Sequence, residues 1–123
     1  MIREILLIGI GGFIGAVLRY LISGLIPYDF LPLGTLIVNM IGSFIIGFLM
    51  FSSLFLDIPM EYKLLIGTGF CGALTTFSTF SYETFYMIDE GLFLKAFINI
   101  ILNVSLCLIM VFLGRTLAIL LIR

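Results

Sequence analysis

Four long apolar segments constrain this 123-residue chain more than any other feature of its sequence. They cover approximately residues 2–26, 33–56, 62–88 and 92–122, with Pro, Gly or acidic residues between them. As a helix, the first segment spans roughly 36 Å, which is enough to cross a bilayer core of about 30 Å. The sequence therefore predicts an all-α membrane protein in which residues 1–123 form one domain of four transmembrane helices.

Composition narrows the classes of function. Hydrophobic residues make up 63% of the chain and charged residues 11%, and the net charge is −1. This balance offers no basic patch for a nucleic acid. The chain has no His, and the sequence shows neither a nucleophile–base pair nor a cluster of metal ligands, so we do not expect an enzyme. We expect a multi-pass protein of the cell inner membrane or plasma membrane, in contact with membrane lipid.

Residues 69–83 are unusually polar for a membrane span and read Gly-Phe-Cys-Gly-Ala-Leu-Thr-Thr-Phe-Ser-Thr-Phe-Ser-Tyr-Glu. Irregular backbone at membrane depth persists only inside protein or beside a water-filled cavity. Gly67, Gly69 and Gly72 tolerate a break in the helix, and hydroxyls can pair with the freed backbone groups or with a polar ligand. The segment predicts a broken third helix that builds an ion site. Its hydroxyl residues are Thr75, Thr76, Ser78, Thr79 and Ser81.

Polar residues inside the other segments are further site candidates. Arg19 is either a snorkelling side chain near a helix end or a positive charge in an aqueous vestibule that attracts anions. Asn39 shares a helical stripe with Thr35 at four-residue spacing, and its amide is costly to leave unpaired near mid-membrane. Asn99 and Asn103 also share one face and either hold helices together or line a pore.

The distribution of basic residues gives little preference for one orientation in the membrane. If both termini share a side, that side carries four basic residues and the other side two: Arg3, Lys63, Arg115 and Arg123 against Arg19 and Lys95. Several of these lie within helices, so the bias in loop charge on which the positive-inside rule acts is small. Four short helices also form a bundle that is too thin to enclose an ion conduit comfortably. Together these points favour a homodimer, with an antiparallel arrangement as one possibility.

Three stretches of the chain resemble the Fluc (CrcB-type) fluoride channels. Residues 69–83 resemble the signature of their third helix, and the run from Gly34 to Asn39 followed by Gly42 resembles their second-helix motif. The motif around Gly11 to Gly15 with Arg19 and Tyr20 is similar to their first helix. The resemblance thus covers three of the four helices in the same order.

The resemblance implies a function and an assembly. It implies a passive, fluoride-selective channel that exports fluoride from the cytoplasm. It further implies an antiparallel, dual-topology homodimer with two pores and a structural sodium ion at its centre. Backbone carbonyls matching Gly72 and Thr75 would hold the sodium ion.

The resemblance also assigns pore residues. Phe77 and Phe80 match a phenylalanine pair whose ring edges line the fluoride path, because a phenyl ring carries a positive edge. Asn39 matches an asparagine that hydrogen-bonds the ion, and Thr35 matches a polar residue one turn away. The hydroxyls of Ser78, Thr79 and Ser81 are donors that can replace water. Weaker pore candidates are Asn99, Asn103, Arg19 and Glu83.

Two other functions stay open from the residues alone. A proton-coupled exporter of the small four-helix, dual-topology type needs a carboxylate within the membrane. The first segment has only Glu4 at its very end, which leaves Glu83 as the candidate. A structural membrane subunit without transport of its own is the other alternative.

Overall fold

The structure, a computed structural model, describes residues 1–122. The predicted domain extended to Arg123, which lies outside the described residues. Within them, the chain forms four helical spans that are long and apolar enough to cross a membrane, and this confirms the predicted fold class. The spans are Ile2–Leu25 (α1), Leu33–Ser52 (α2), Met60–Asp89 and Phe93–Ile122 (α5).

The third span consists of two helices joined by an extended link. Its first half, α3, covers residues 60–74, and its middle part, Lys63–Cys71, is wound as a π-helix. Its second half, α4, covers Phe77–Asp89. Thr75 and Thr76 between them have extended backbone, with ψ angles of 157° and 114°. The predicted break in the third helix is therefore present, and it lies at two threonines.

Hydrogen bonds from side chains take over the backbone groups at this break. The Thr76 N–H donates to Asn39 Oδ1 of α2 at 2.8 Å. The Thr76 hydroxyl oxygen in turn accepts the Thr79 N–H at 3.1 Å and caps the start of α4. Since unpaired N–H groups are costly at membrane depth, these two bonds are what makes an interrupted helix tolerable there.

Gly69 of the third span serves packing, because it lies within helical backbone and the break follows it. A Cβ built at Gly69 would lie 2.6 Å from the Ile8 carbonyl oxygen of α1. A Cβ at Gly11 would lie 2.9 Å from the Phe70 nitrogen, and one at Gly15 would lie 3.0 Å from the Leu74 nitrogen. Small residues thus bring the α1 and α3 backbones into direct contact.

Helices α2 and α5 meet in the same way. A Cβ at Gly47 would lie 2.6 Å from the Val111 carbonyl oxygen, and one at Gly114 would lie 2.7 Å from the Phe48 nitrogen. Helix α2 ends at Ser52, whereas the prediction extended it to 56. Two hydrogen-bonded turns follow, in which the Ser53 hydroxyl donates to the Met50 carbonyl at 2.7 Å.

The outer surface of the bundle is far more apolar than that of a water-soluble domain, and the buried residues include both apolar and polar side chains. Large apolar side chains cover the outside of the bundle, as Phe13 of α1 and Phe112 of α5 illustrate. Several polar side chains are instead buried between helices, where hydrogen bonds must satisfy them. The buried polar residues are Thr35, Ser52, Thr76, Thr84, Asn99 and Asn103. This pattern fits a protein whose outer surface faces lipid or another apolar surface.

We expect Thr76→Val to weaken the start of α4. The substitution keeps the shape of the side chain but removes the oxygen that accepts the Thr79 N–H. Loss of such a cap costs about 1 kcal/mol, equivalent to roughly fivefold faster amide hydrogen exchange at Thr79. Thr76→Ser retains the acceptor and should exchange like the wild type. Unchanged exchange at Thr79 in the Val variant would show that the cap contributes nothing.

Candidate functional site

A cavity of about 290 Å³ lies beside the break in the third span. We call it the Phe cavity. Asn39 and Ser43 reach it from α2, the break and the start of α4 form one wall, and α5 forms the other. The lining residues are Asn39, Ser43, Thr75, Thr76, Phe77, Phe80, Asn103, Val104 and Cys107. Among the described lining residues none carries a charged side chain, so any polar ligand there meets only dipoles and aromatic rings.

The Asn39 amide links the break to α5 across the cavity. Its oxygen accepts the Thr76 N–H at 2.8 Å. Its nitrogen lies 3.4 Å from the Thr76 carbonyl oxygen and 3.4 Å from Asn103 Oδ1. Both donor distances exceed the usual 2.7–3.2 Å of an N–H···O bond. The acceptor side of Asn39 is therefore firmly engaged, whereas its two N–H donors are held loosely at the cavity wall.

The two aromatic rings of the site differ in exposure. Phe77 and Phe80 have ring centroids 5.6 Å apart and planes tilted by 54°. Phe80 is 9% exposed, whereas Phe77 is 78% exposed. The sequence placed these residues near one helical face, and the structure brings them together. Phe80 closes the inner end of the cavity, and Phe77 stands at its open side.

A second cavity, of about 490 Å³, holds the charged candidates. We call it the Arg cavity. Arg19 Nε donates to the Ala73 carbonyl at 3.0 Å, which ties α1 to the C-terminal end of α3. A cation at that end is favoured by the helix dipole. The residues that line it are Ala16, Arg19, Tyr20, Ser23, Gly24, Thr35, Thr76, Thr79 and Glu83.

Shared residues join the cavities into one row. Thr76 lines both the Phe cavity and the Arg cavity. Glu83 lines both the Arg cavity and an outer cleft formed with Tyr28, Tyr82 and Tyr86, which we call the Tyr cleft. Desolvation is the main cause that raises the pKa of Tyr28, and the Glu83 carboxylate adds to it. The row runs from the Tyr cleft to the Phe cavity.

The break also releases carbonyl groups, among them those of Gly72 and Thr75. In an uninterrupted helix the Thr76 N–H would bond to the Gly72 carbonyl, and the Thr79 N–H to the Thr75 carbonyl. Here those two N–H groups bond to the side chains of Asn39 and Thr76. Gly72 and Thr75 therefore each lose the helical donor of their carbonyl oxygen.

The remaining candidates are dispersed. Ser78 and Ser81 are exposed and line neither the Phe cavity nor the Arg cavity. Asn103 lines the Phe cavity, whereas Asn99 lies behind it, 1% exposed. Ser43 was not among the predicted site residues, although it follows Asn39 by one turn and lines the same cavity.

Two other residues were missed. Cys107, which was not among the predicted site residues, lines the Phe cavity. Thr84 was not considered, although it lies one turn after Phe80. Its hydroxyl donates to the Phe80 carbonyl at 2.8 Å.

Comparison with known proteins agrees with this architecture. Residues 6–115 match the family model described as CrcB-like protein, Camphor Resistance (CrcB). A protein of Methanocaldococcus jannaschii named fluoride-specific ion channel FluC is 68% identical, with all of both chains covered. A protein of the same name from Methanococcus maripaludis is 67% identical, with 92% of this chain and 93% of the relative covered. Another from Pyrococcus abyssi is 51% identical, with 95% of this chain and 97% of the relative covered. This multi-pass membrane protein belongs to the CrcB-like family.

Proposed function

We propose that this chain is a passive, fluoride-selective ion channel that exports fluoride from the cytoplasm. The observation that carries the proposal is the Phe cavity, where loosely held Asn39 donors face a phenylalanine pair without any charged side chain. Near relatives bear the name of a fluoride-specific ion channel. That name describes a channel, in agreement with the prediction that the chain is not an enzyme.

The chemistry of the cavity suits a small anion in transit. Asn39 offers N–H donors at 3.4 Å from their present acceptors, so an anion can compete for them. The edges of the Phe77 and Phe80 rings carry partial positive charge. The N-terminus of α4 adds the positive end of a helix dipole at the same place. Because none of these groups is a full cation, the ion is attracted without being trapped, as conduction requires.

The row of cavities offers an anion a route from the Tyr cleft to the Phe cavity. Arg19 supplies a positive charge in the Arg cavity, which raises the local concentration of anions. Thr35 and Thr79 contribute hydroxyls there, and Thr76 leads from this cavity to the Phe cavity. We assign Ser78 and Ser81 no contact with the ion within one chain, and both face outward at the start of α4.

We further propose that the channel is an antiparallel homodimer with two pores, one at each Phe cavity. Phe77 is 78% exposed at the open side of that cavity, so a single chain leaves the proposed ion path unclosed. A second copy would cover it. The bias in loop charge between the two ends is small, because several of the six basic residues lie within helices, and a small bias allows insertion in both orientations.

A structural sodium ion is the third part of the proposal. The carbonyls of Gly72 and Thr75 have lost their helical donors, and Gly72 is exposed. Carbonyls at an unwound half-helix end are suitable ligands for Na⁺. One chain supplies two such ligands, and a symmetric second copy would supply two more.

Fluoride efflux from liposomes tests the function. With K⁺ and valinomycin clamping the voltage, wild-type protein should release fluoride rapidly and retain chloride. Asn39→Ala should lower the initial rate by roughly tenfold or more, since a hydrogen bond to a charged group is worth about 1.5–3 kcal/mol. Phe80→Ile should also lower the rate, because isoleucine has no aromatic ring edge to present to the anion. Phe112→Ile is the matched control, because Phe112 is 58% exposed on the outer face of α5. Chloride release as fast as fluoride release, or full activity in both cavity variants, would contradict the proposal.

Sodium removal tests the metal site. If Na⁺ binds only the folded dimer, the thermal unfolding midpoint should rise with the logarithm of Na⁺ concentration. Replacing Na⁺ by N-methyl-D-glucamine at equal ionic strength should lower it, and K⁺ should restore less of the loss than Na⁺. Equal midpoints in all three cations would remove sodium from the account.

A proton-coupled exporter remains a second candidate because of one carboxylate. Glu4 is exposed at the start of α1 and pairs with the N-terminal amine at 2.6 Å, so it is unsuited to coupling. Glu83, by contrast, has an oxygen buried without a hydrogen-bond partner in the part of the chain that the structure describes. Fluoride accumulation driven by a pH gradient and abolished by Glu83→Gln would favour this candidate over a passive channel.

A further inference from the structure

A chain of buried hydrogen bonds connects the Phe cavity to the backbone of α4. Asn39 Nδ2 lies 3.4 Å from Asn103 Oδ1, and Asn103 Nδ2 donates to Asn99 Oδ1 at 3.2 Å. Asn99 Nδ2 donates to the Thr84 hydroxyl at 3.0 Å, and that hydroxyl donates to the Phe80 carbonyl at 2.8 Å. We call Asn103, Asn99 and Thr84 the amide relay. Through its contact with Asn39, the relay connects α2 by way of α5 to α4.

The direction of the relay follows from its last acceptor. A carbonyl oxygen can only accept, so the Thr84 hydroxyl must donate to Phe80 and must accept from Asn99. Asn99 therefore turns its nitrogen toward Thr84 and its oxygen toward Asn103. Asn103 must then donate through its nitrogen to Asn99 and present its oxygen to Asn39.

The orientation of Asn103 determines what Asn39 meets at the cavity wall. With Asn103 Oδ1 facing it, Asn39 keeps its NH₂ group between two acceptors, Asn103 and the Thr76 carbonyl. If Asn103 were reversed, two NH₂ groups would face each other without an acceptor between them. Asn39 could not simply turn over in response, because its oxygen holds the Thr76 N–H at 2.8 Å. A reversed relay would therefore displace the very donors that an anion needs.

Two members of the relay lie outside the Phe cavity. Thr84 and Asn99 are 6% and 1% exposed and are absent from the lining of the cavity. Each uses its side-chain polar groups within the relay, and Asn103 makes a second bond to the Asn99 carbonyl at 2.9 Å. Buried amides without such partners would be costly. Both residues can reach a bound ion only through Asn103 and Asn39.

We propose that Thr84 and Asn99 are positioning residues that fix the orientation of Asn103 and so keep the Asn39 donors directed at the permeating anion. This inference rests on the proposed function and adds residues that do not touch the ion. It assigns the Thr84 hydroxyl a role in transport, since it connects the Asn99 amide to a fixed backbone acceptor, the Phe80 carbonyl, and so keeps Asn99 Oδ1 as an acceptor for Asn103 beside the Asn99 backbone carbonyl.

The test is fluoride efflux from liposomes containing Thr84→Val, Thr84→Ser or Thr116→Val dimers. Valine keeps the shape of threonine but removes the hydroxyl, so the Asn99 amide loses its enforced direction and Asn103 keeps only the Asn99 backbone carbonyl as a fixed acceptor. One such hydrogen bond corresponds to about a fivefold change in rate, and we expect at least that loss. Thr84→Ser retains the hydroxyl and its hydrogen bonds, so its efflux rate should stay within about twofold of the wild-type rate. Thr116→Val removes an equivalent bond, from Thr116 to the Phe112 carbonyl at 2.8 Å on α5, and should leave efflux unchanged.

The outcomes separate the two proposals. If wild-type dimer releases no fluoride, the proposed function fails. If wild-type and Thr84→Val dimers release it equally fast, the function stands and the relay is overturned. Equal losses in Thr84→Val and Thr84→Ser would likewise overturn it, because they would reflect packing. If Thr84→Val yields no dimer, Asn99→Leu interrupts the relay at its next link and should cause the same loss in efflux.

Discussion

The pairing between the Asn39 side chain and the Thr76 backbone is the interaction on which the rest of the structure depends. A membrane span cannot be interrupted unless another group takes over the freed N–H and C=O groups. Asn39 does this with one amide, accepting the Thr76 N–H at 2.8 Å and placing its nitrogen 3.4 Å from the Thr76 carbonyl oxygen. Two opposed helix ends thereby exist in mid-membrane. One presents N–H groups and the other presents carbonyls.

The two helix ends favour ligands of opposite charge. The start of α4, with Phe77 and Phe80, lines a cavity suited to an anion, whereas the end of α3 releases the carbonyls of Gly72 and Thr75 toward a cation. Arg19 binds the Ala73 carbonyl of the same α3 end and lines the neighbouring cavity. A single break thus accounts for both proposed ions. It also explains why the polar residues of so apolar a chain are concentrated around it.

The sequence was sufficient to predict the spans, the interruption of the third helix and the polar residues around it, because each depends on local composition. The position of the break was less predictable. The glycines of the segment indicated a break, but the extended residues that interrupt the helix are Thr75 and Thr76. Gly69 and Gly11 are needed for contact between α1 and α3, a long-range property that spacing does not reveal. For Asn99, sequence reasoning left helix packing and pore lining open. Its burial behind the cavity depends on where α5 meets α4.

Partners separated by long stretches of sequence were the least predictable part. Thr84 is one of several hydroxyls in a polar segment, and only its contact with Asn99, fifteen positions away, distinguishes it. The Arg19 bond to Ala73 likewise crosses 54 positions. The direction of each hydrogen bond in such a network depends on all of its members, so it cannot be predicted from the type of a single residue.

The side-chain amide of Asn39 gives the most direct measurement of the central claim. In ¹H–¹⁵N spectra of the purified dimer, its two proton signals can be identified by their loss in Asn39→Ala. Fluoride should shift at least one of them in a saturable manner, while the backbone N–H of Thr76 stays protected and chloride has no effect. Signals that ignore fluoride in a preparation that conducts it would contradict the account, because the ion would then pass without contacting Asn39.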